Sequence, residues 1–283
     1  MLALDRKLFR DLLHLWGQGL AIALVVACGI AIFVAMQTNY QSLQLSQTNY
    51  YDQYRFAQVF GQLKRAPDSI VTQIQAIPGV AQVQTRVVVD VILDVPGRQE
   101  PVTGRLISIP EQQTPMLNDL YLRQGRYIES GASDEILVSD VFANANHLQL
   151  GDRLGAVING RWQSLHIVGI ALSPEYVYEI RGSDIFPDNQ RFGVLWMGRK
   201  ALGTAFNLDG AFNDISLSLL PQTDAAEVIF RLDQLLKPYG ALGAYDREDQ
   251  ISNRFLSEEI IQLRTHGTVI PTIFLGIGAF LLN

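Results

Sequence analysis

The chain has 283 residues, a formal net charge of −6 and a sequence pI near 5.2. That balance excludes the basic face on which nucleic-acid binding depends. Apolar residues make up 48% beside 18% charged ones, so the apolar residues must be concentrated somewhere. Cys28 is the single cysteine. No disulfide within the chain is available, and any folded domain must be held by its core alone.

Residues 1–15 read as a cytoplasmic amphipathic helix. Leu4, Leu8 and Leu12 recur every four positions, joined by Phe9 and Leu13 and continued by Trp16, while Asp5, Arg6, Lys7, Arg10 and Asp11 take the other side, a pattern suited to the membrane interface. Gly17 and Gly19 permit a bend after it. Residues 16–37 read as a first transmembrane helix. No charge occurs between Asp11 and Asp52, and residues 20–36 are LAIALVVACGIAIFVAM. Counted from Trp16 the run is about 21 residues, roughly 30 Å of helix, enough to cross a bilayer core. Arg6, Lys7 and Arg10 precede it and the next basic residue is Arg55, which places the N-terminus in the cytoplasm. The run is too long for a cleaved signal peptide and has no small-x-small exit. The tetrapeptide ending at Cys28 loosely resembles a lipobox, but the apolar run continues for eight residues beyond it.

Residues 38–247 read as an extracytoplasmic α+β core domain. Residues 54–63 suggest a strand. Asp68 is placed to cap a helix carrying Ile70, Val71, Ile74 and Ile77, which Pro78-Gly79 ends. Residues 80–95 form one long β-branched stretch. A similar unit recurs late: a strand over 214–220, a helix capped at Thr223-Asp224 with Val228, Ile229, Leu232, Leu235 and Leu236, a stop at residues 238–240, and a return strand over 241–245. Two such βαβ units suggest a ferredoxin-like half built from both ends of the segment. A β-rich insert lies between them. It has strands at 135–139, 154–158, 162–170 and 192–197, a short helix at 140–148, and a hairpin turn at Asn159-Gly160. The loop over 181–191 is polar and turn-rich.

Residues 248–266 read as a stalk helix, with Ile251, Phe255, Leu256, Ile260 and Leu263 on one side. Residues 267–283 read as the start of a second transmembrane helix. Residues 268–282 carry no charge, and Pro271 is tolerable near the beginning. A buried core helix is the competing reading of this short run.

The search for chemistry yields no catalytic, cofactor-binding or metal residues. No G-x-x-x-x-G-K-[ST], G-x-S-x-G or H-E-x-x-H occurs. His14, His147, His166 and His266 are scattered, and Glu258-Glu259 belong to a polar helix face. Tyr176, Tyr178, Phe186 and Trp196 could line a partner surface beside the 181–191 loop, but core packing is the plainer expectation for aromatics. The residues leave any substrate-binding site unknown.

The order of motifs carries a resemblance. Residues 77–80 (IPGV) are followed by 122–126 (LRQGR), 135–139 (EILVS), 148–152 (LQLGD) and 165–170 (LHIVGI). This order resembles the extracytoplasmic core domain of FtsX-like ABC transporter permeases, of the macrolide-exporter and lipoprotein-release type, and the likeness covers nearly the whole chain. The resemblance implies a permease subunit, or its N-terminal fragment, in a bacterial plasma (inner) membrane, embedded in membrane lipid and with no enzymatic activity of its own. It implies a cytoplasmic ABC ATPase partner, a second permease copy forming a dimer, and an extracytoplasmic adaptor or lipoprotein. It implies no cofactor. Measured against it, the chain ends inside its second membrane helix. The alternative is a two-helix transmembrane sensor with an extracytoplasmic ligand-binding domain, which topology alone does not separate from a permease.

Overall fold

The computed structural model describes residues 16–98, 100–182 and 184–281. The amphipathic helix expected over 1–15 lies outside the described residues. The chain divides into two compact units, one of residues up to 49 with those from 257 onward, the other Tyr50–Leu256.

The first element is helix α1 (Trp16–Gln53). After it come β1 (Val59–Pro67), a 3₁₀ turn, α2 (Val71–Gln75) and β2 (Val80–Arg86). The strand begins later than the sequence suggests because Tyr54 and Arg55 form a turn, Arg55 at φ 50°. Asp68 does not cap α2. Residues Asp68–Ile70 form the 3₁₀ turn without a side-chain cap, and the Asp68 carboxylate lies 3.4 Å from Arg199. The stretch over 80–95 is two strands, β2 and β3 (Val88–Asp94), parted at Val87. They enter different sheets. Val87 is fully buried and its N–H donates to Ser108 Oγ at 2.8 Å.

The chain continues through β4 (Val102–Ile109), β5 (Tyr121–Gly125), β6 (Glu135–Ser139), α3 (Asp140–Ala145), β7 (Arg153–Ile158), β8 (Arg161–Leu172), β9 (Phe192–Gly198) and α4 (Arg199–Ala205). Then come β10 (Ala211–Leu219), α5 (Ala225–Leu236), β11 (Ala244–Asp246) and α6 (Ile251–Leu281). Sequence patterning does not show β4, β5 or α4.

Strands β11, β1, β10 and β2 form a four-stranded sheet in that order, each neighbouring pair antiparallel. This is the ferredoxin-like arrangement the two βαβ patterns suggest. Both helices cover one face, where Ile70, Ile74, Phe212, Ile215, Leu217, Val228, Leu232 and Leu236 pack together. Asp224 caps α5 by accepting from the Ala226 N–H at 2.9 Å.

The insert closes on itself. Strands pair in the cycle β7-β3-β4-β9-β6-β8, and β8 pairs again with β7. The result is a six-stranded barrel, with β5 added alongside the far half of β8. Leu106, Ile136, Val138, Leu154, Ile158, Leu165, Ile167 and Leu195 fill the interior, with Phe142 of α3. Residues of the 110–128 segment cover the outer side of β4, β6 and β9 against Ile107, Leu137, Val194 and Trp196. Every residue of β6 and β9 is therefore buried. Burial on both faces is why these strands read as unbroken apolar runs. The β7–β8 turn has Asn159 at φ 46° and Gly160 at φ 76°, as a type I′ hairpin requires.

In the other unit, α1 and α6 pack antiparallel through small residues. A Cβ at Gly29 would come within 3.2 Å of Phe274, one at Gly267 within 2.9 Å of Met36, and one at Gly278 within 2.9 Å of Val26. Close backbone approach at glycine is how helices pack where lipid removes the hydrophobic drive to associate. Leu24, Ile30, Phe33 and Val34 of α1 and Val269, Ile273, Ile277 and Phe280 of α6 face outward. Among the described residues, α1 alone is long and apolar enough to cross a membrane.

Gly193 of β9 lies under the Phe142 ring, with an added Cβ only 2.3 Å from Cγ. Gly193→Ala is expected to overpack the barrel and cost about 1–3 kcal/mol. Urea unfolding of the detergent-solubilised chain, compared with the wild type, measures it.

Candidate functional site

On its helix-free face the four-stranded sheet packs Phe60 and Tyr245 with Phe56 and Leu117 on the β11–β1 side. On the β10–β2 side it presents charge. Arg86 ends β2, and Asp214 is its direct cross-strand neighbour on β10. Arg86 Nε donates to Asp214 Oδ1 at 2.8 Å. Its two terminal nitrogens donate to both oxygens of Glu175, at 2.5 and 2.9 Å. All three side chains are less than a tenth exposed. Burial opposes the Arg86 charge, but Asp214 and then Glu175 outweigh it and hold its pKa well above the usual arginine value.

Glu175 stands in the turn Pro174–Tyr176 that follows β8. Its remaining valences are used. Asn118 Nδ2 donates to its carboxylate at 2.9 Å and lies 3.2 Å from Ser216 Oγ. Asn118 Oδ1 accepts from the Ala57 N–H. Gln250 Nε2 donates to the Glu175 carbonyl at 2.7 Å. These bonds offset much of the desolvation penalty of the buried charges, although at Asp214 burial outweighs Arg86 and holds the carboxyl above the usual aspartate value.

Gln250 extends the network to the end of one helix and the start of the other. Its Oε1 accepts from the Asn253 N–H at 2.7 Å, and Asn253 Oδ1 accepts from the Tyr51 hydroxyl at 2.9 Å. Tyr51 belongs to the last turn of α1 and Asn253 to the first turn of α6. Arg247 donates to the carbonyls of Ala57 and Phe56, its guanidinium 4.9 Å from the Phe56 ring centre. The Tyr178 N–H donates to Ser252 Oγ at 2.8 Å. A cleft of about 310 Å³ opens beside this junction. Gln62, Arg105, Tyr176, Tyr245 and Asp249 are among its walls. Arg105 is held bidentately by Asp90, at 2.8 and 3.0 Å.

Of the aromatic residues singled out in the sequence, Tyr176 and Tyr178 line the cleft together, and Phe186 and Trp196 do not. Trp196 is buried in the layer outside the barrel with Tyr176 against it. Tyr178 meets Phe255 at 6.1 Å, and Phe186 is 74% exposed on its loop. Glu258 and Glu259 lie on an exposed stretch of α6. His14 lies outside the described residues. Among the described residues no three His, Cys, Asp or Glu side chains are grouped as a metal site would need. Sequence reasoning missed Arg86, Glu175, Asp214 and Asn118. The available signal was charge inside two β-patterned runs: Arg86, with Asp90 and Asp94, in residues 80–95, and Asp214 in residues 214–220.

The family model of the MacB-like periplasmic core domain matches residues 19–235, well over half of the chain. The chain belongs to that family. The family is a transporter permease component and is not in itself enzymatic. With the apolar α1, the chain is a membrane protein with an extracytoplasmic domain. The extracellular domain of the noncanonic ABC-type transporter YknZ from Gram-positive bacteria is 13% identical, covering 67% of this chain and 98% of its own, at a TM-score of 0.40. The periplasmic region of MacB from Actinobacillus actinomycetemcomitans is 11% identical, covering 76% and 97%, at 0.42. A permease-protein domain from Porphyromonas gingivalis is 13% identical, covering 66% and 81%, at 0.37. The assignment rests on the family model and not on these three likenesses. No curated protein matches the sequence at a significant level.

In this MacB-like domain the junction generates two predictions. Arg86→Met strands two buried carboxylates and is expected to cost about 3–5 kcal/mol. Arg86→Met combined with Glu175→Gln is expected to recover part of that loss in the same urea titration. Glu179 supplies a pH dependence. It is 1% exposed and its Oε2 accepts only weakly from the Val194 N–H, at 3.3 Å. Burial pushes its pKa up to about 8, Ser139 and the Val194 N–H oppose the rise, and Asp140 adds to it. The folded state therefore holds a proton that the unfolded state releases. The stability this contributes is fully present below about pH 4.5 and lost as pH rises through about 8. Unfolding free energies between pH 5 and 8 are expected to fall more steeply in the wild type than in Glu179→Gln, by up to about 1.4 kcal/mol per pH unit.

Proposed function

We propose that the chain is a permease subunit, or the N-terminal part of one, in an ABC transporter complex of a bacterial plasma (inner) membrane. The N-terminus is cytoplasmic, α1 crosses the membrane, and a second membrane span begins within α6 near residue 267. A cytoplasmic ABC ATPase hydrolyses ATP, and the helices carry the resulting movement to the extracytoplasmic domain, which exports or extracts a substrate. Two permease copies act together, with an extracytoplasmic adaptor or lipoprotein as a further partner.

The observation that carries this reading is the Tyr51–Asn253 hydrogen bond and what it leads to. The last turn of α1 and the first turn of α6 are tied to each other, and through Gln250 to Glu175 and Arg86. Movement arriving along either helix therefore meets a buried, fully bonded cluster shared by the sheet and the barrel, not a loose tether. The family assignment favours the permease over the sensor, since a sensor has no need of this family's core domain.

The test has two arms in intact bacterial cells. Phe186→Cys is expected to react with a membrane-impermeant maleimide added outside, whereas Lys7→Cys reacts only after the membrane is opened. Affinity purification of the tagged protein from solubilised membranes is expected to recover a P-loop ATPase. Labelling of Lys7→Cys from outside would overturn the topology, and recovery of a kinase without any ATPase would favour the sensor.

A further inference from the structure

The outer wall of the barrel is covered unevenly. Residues of the 110–128 segment lie over β4, β6 and β9. On β3, β7 and the first half of β8, three apolar side chains instead stand open to solvent in one row. Ile92 is directly across from Val157, and Val157 directly across from Trp162. They are 57%, 36% and 62% exposed. Alternation turns Val91, Leu93, Ala156, Ile158 and Leu165 of the same strands into the barrel interior, so the core does not depend on the outer row. A single exposed apolar side chain is ordinary, but three in cross-strand register, one of them a tryptophan, form a patch.

The charges beside the row repeat a pattern that is complete at one place and open at another. Asp90, Ile92 and Asp94 share the outward side of β3. Asp90 is met by its cross-strand neighbour Arg105, which donates to both carboxylate oxygens at 2.8 and 3.0 Å and lies 5.5 Å from the centre of the Phe192 ring. Carboxylate, guanidinium and aromatic ring form a full set there. Asp94 also has an aromatic neighbour. It and Trp162 flank Gly155, where an added Cβ would lie 2.9 Å from Asp94 Cβ and 3.0 Å from Trp162 Nε1. Among the described residues Asp94 has no cationic partner. Arg153, on the same strand as Gly155, lies 3.8 Å from Asp134 instead, and Arg161 stands across from Ile158 at the hairpin end. The second set lacks its guanidinium.

We propose that the Ile92–Val157–Trp162 row is the surface on which the barrel docks an extracytoplasmic protein, one that brings an arginine to Asp94 and Trp162 and an apolar side chain to Ile92 and Val157. One guanidinium pairs with the carboxylate and stacks on the indole at the same time. Tryptophan and arginine are the residue types that concentrate binding energy at interfaces. The chain's net charge of −6 favours a basic partner over a second copy of itself. The inference rests on the permease reading for there being an extracytoplasmic partner, and it gives that partner a place and a chemistry.

The test uses the full-length chain in its own bacterial membranes, with a benzophenone amino acid in place of Arg161, an exposed position beside the row. Ultraviolet light is expected to join it to one extracytoplasmic protein, at a site next to an arginine on that protein's surface. Asp94→Arg and Trp162→Ala, both at exposed positions, are expected to leave the urea midpoint unchanged and to lower the yield of that product about tenfold or more. Changing the partner's arginine to aspartate is expected to restore the product in Asp94→Arg. A yield that both substitutions leave intact, or no rescue by the charge swap, would overturn the docking surface. So would the lack of any product, or a product with a second copy or with lipid alone. Recovery of a P-loop ATPase from the same membranes is scored separately. With the ATPase present, those results sink the docking surface and leave the permease reading standing, whereas its absence removes the permease reading and the partner that reading supplies.

Discussion

One guanidinium sets the plan of the extracytoplasmic domain. Arg86 lies where β2 ends and the chain steps from the four-stranded sheet into the barrel, and it is the cation for Glu175 and Asp214 together. Asp214 comes from the sheet and Glu175 from the segment that leaves the barrel. Neither carboxylate could stay buried and ionised without Arg86, because the desolvation cost of an isolated buried charge exceeds what any single neutral hydrogen bond returns. The two halves therefore meet at a charged point whose geometry is directional. An apolar interface of the same area would tolerate sliding.

The rest of the structure distributes its apolar material so that this point remains the polar one. The sheet buries its other face under α2 and α5, and the barrel fills its interior and covers β4, β6 and β9 from outside. Arg199 adds a second tie between the halves, donating to the carbonyls of Thr85 and Ala211. Burial lowers its pKa despite nearby Asp68, yet it remains a charged donor at any physiological pH. Stability is thus secured within each half by packing, while the relation between the halves is assigned to a few hydrogen-bonded side chains.

Periodicity made the outer elements legible. The apolar run of α1, the amphipathic faces of α2 and α5, and the Asn159-Gly160 hairpin are local in origin, and each appears near its expected place. The ferredoxin-like sheet was readable because both βαβ units carry the same pattern at opposite ends of the segment. The boundaries failed where a tertiary partner intervened. Val87 divides a continuous β-branched run because its N–H is claimed by Ser108 of a different sheet. Asp68 gives up its capping place to lie beside Arg199, more than a hundred residues away in sequence.

By itself the sequence determined what depends on local chemistry: a membrane-length apolar helix, an acidic α+β segment after it, and a motif order resembling the permease core domain. Only the tertiary structure decided that the insert closes into a barrel, since closure is a pairing of β7 with β8 and with β3 that no single strand encodes. It also decided which charges matter. Arg86, Glu175 and Asp214 are separated by 89 and 128 residues from the arginine outward, and in the sequence each is one charge among many. Burial turns them into a junction, because only there does the low dielectric make an unpaired charge costly and a bonded one decisive.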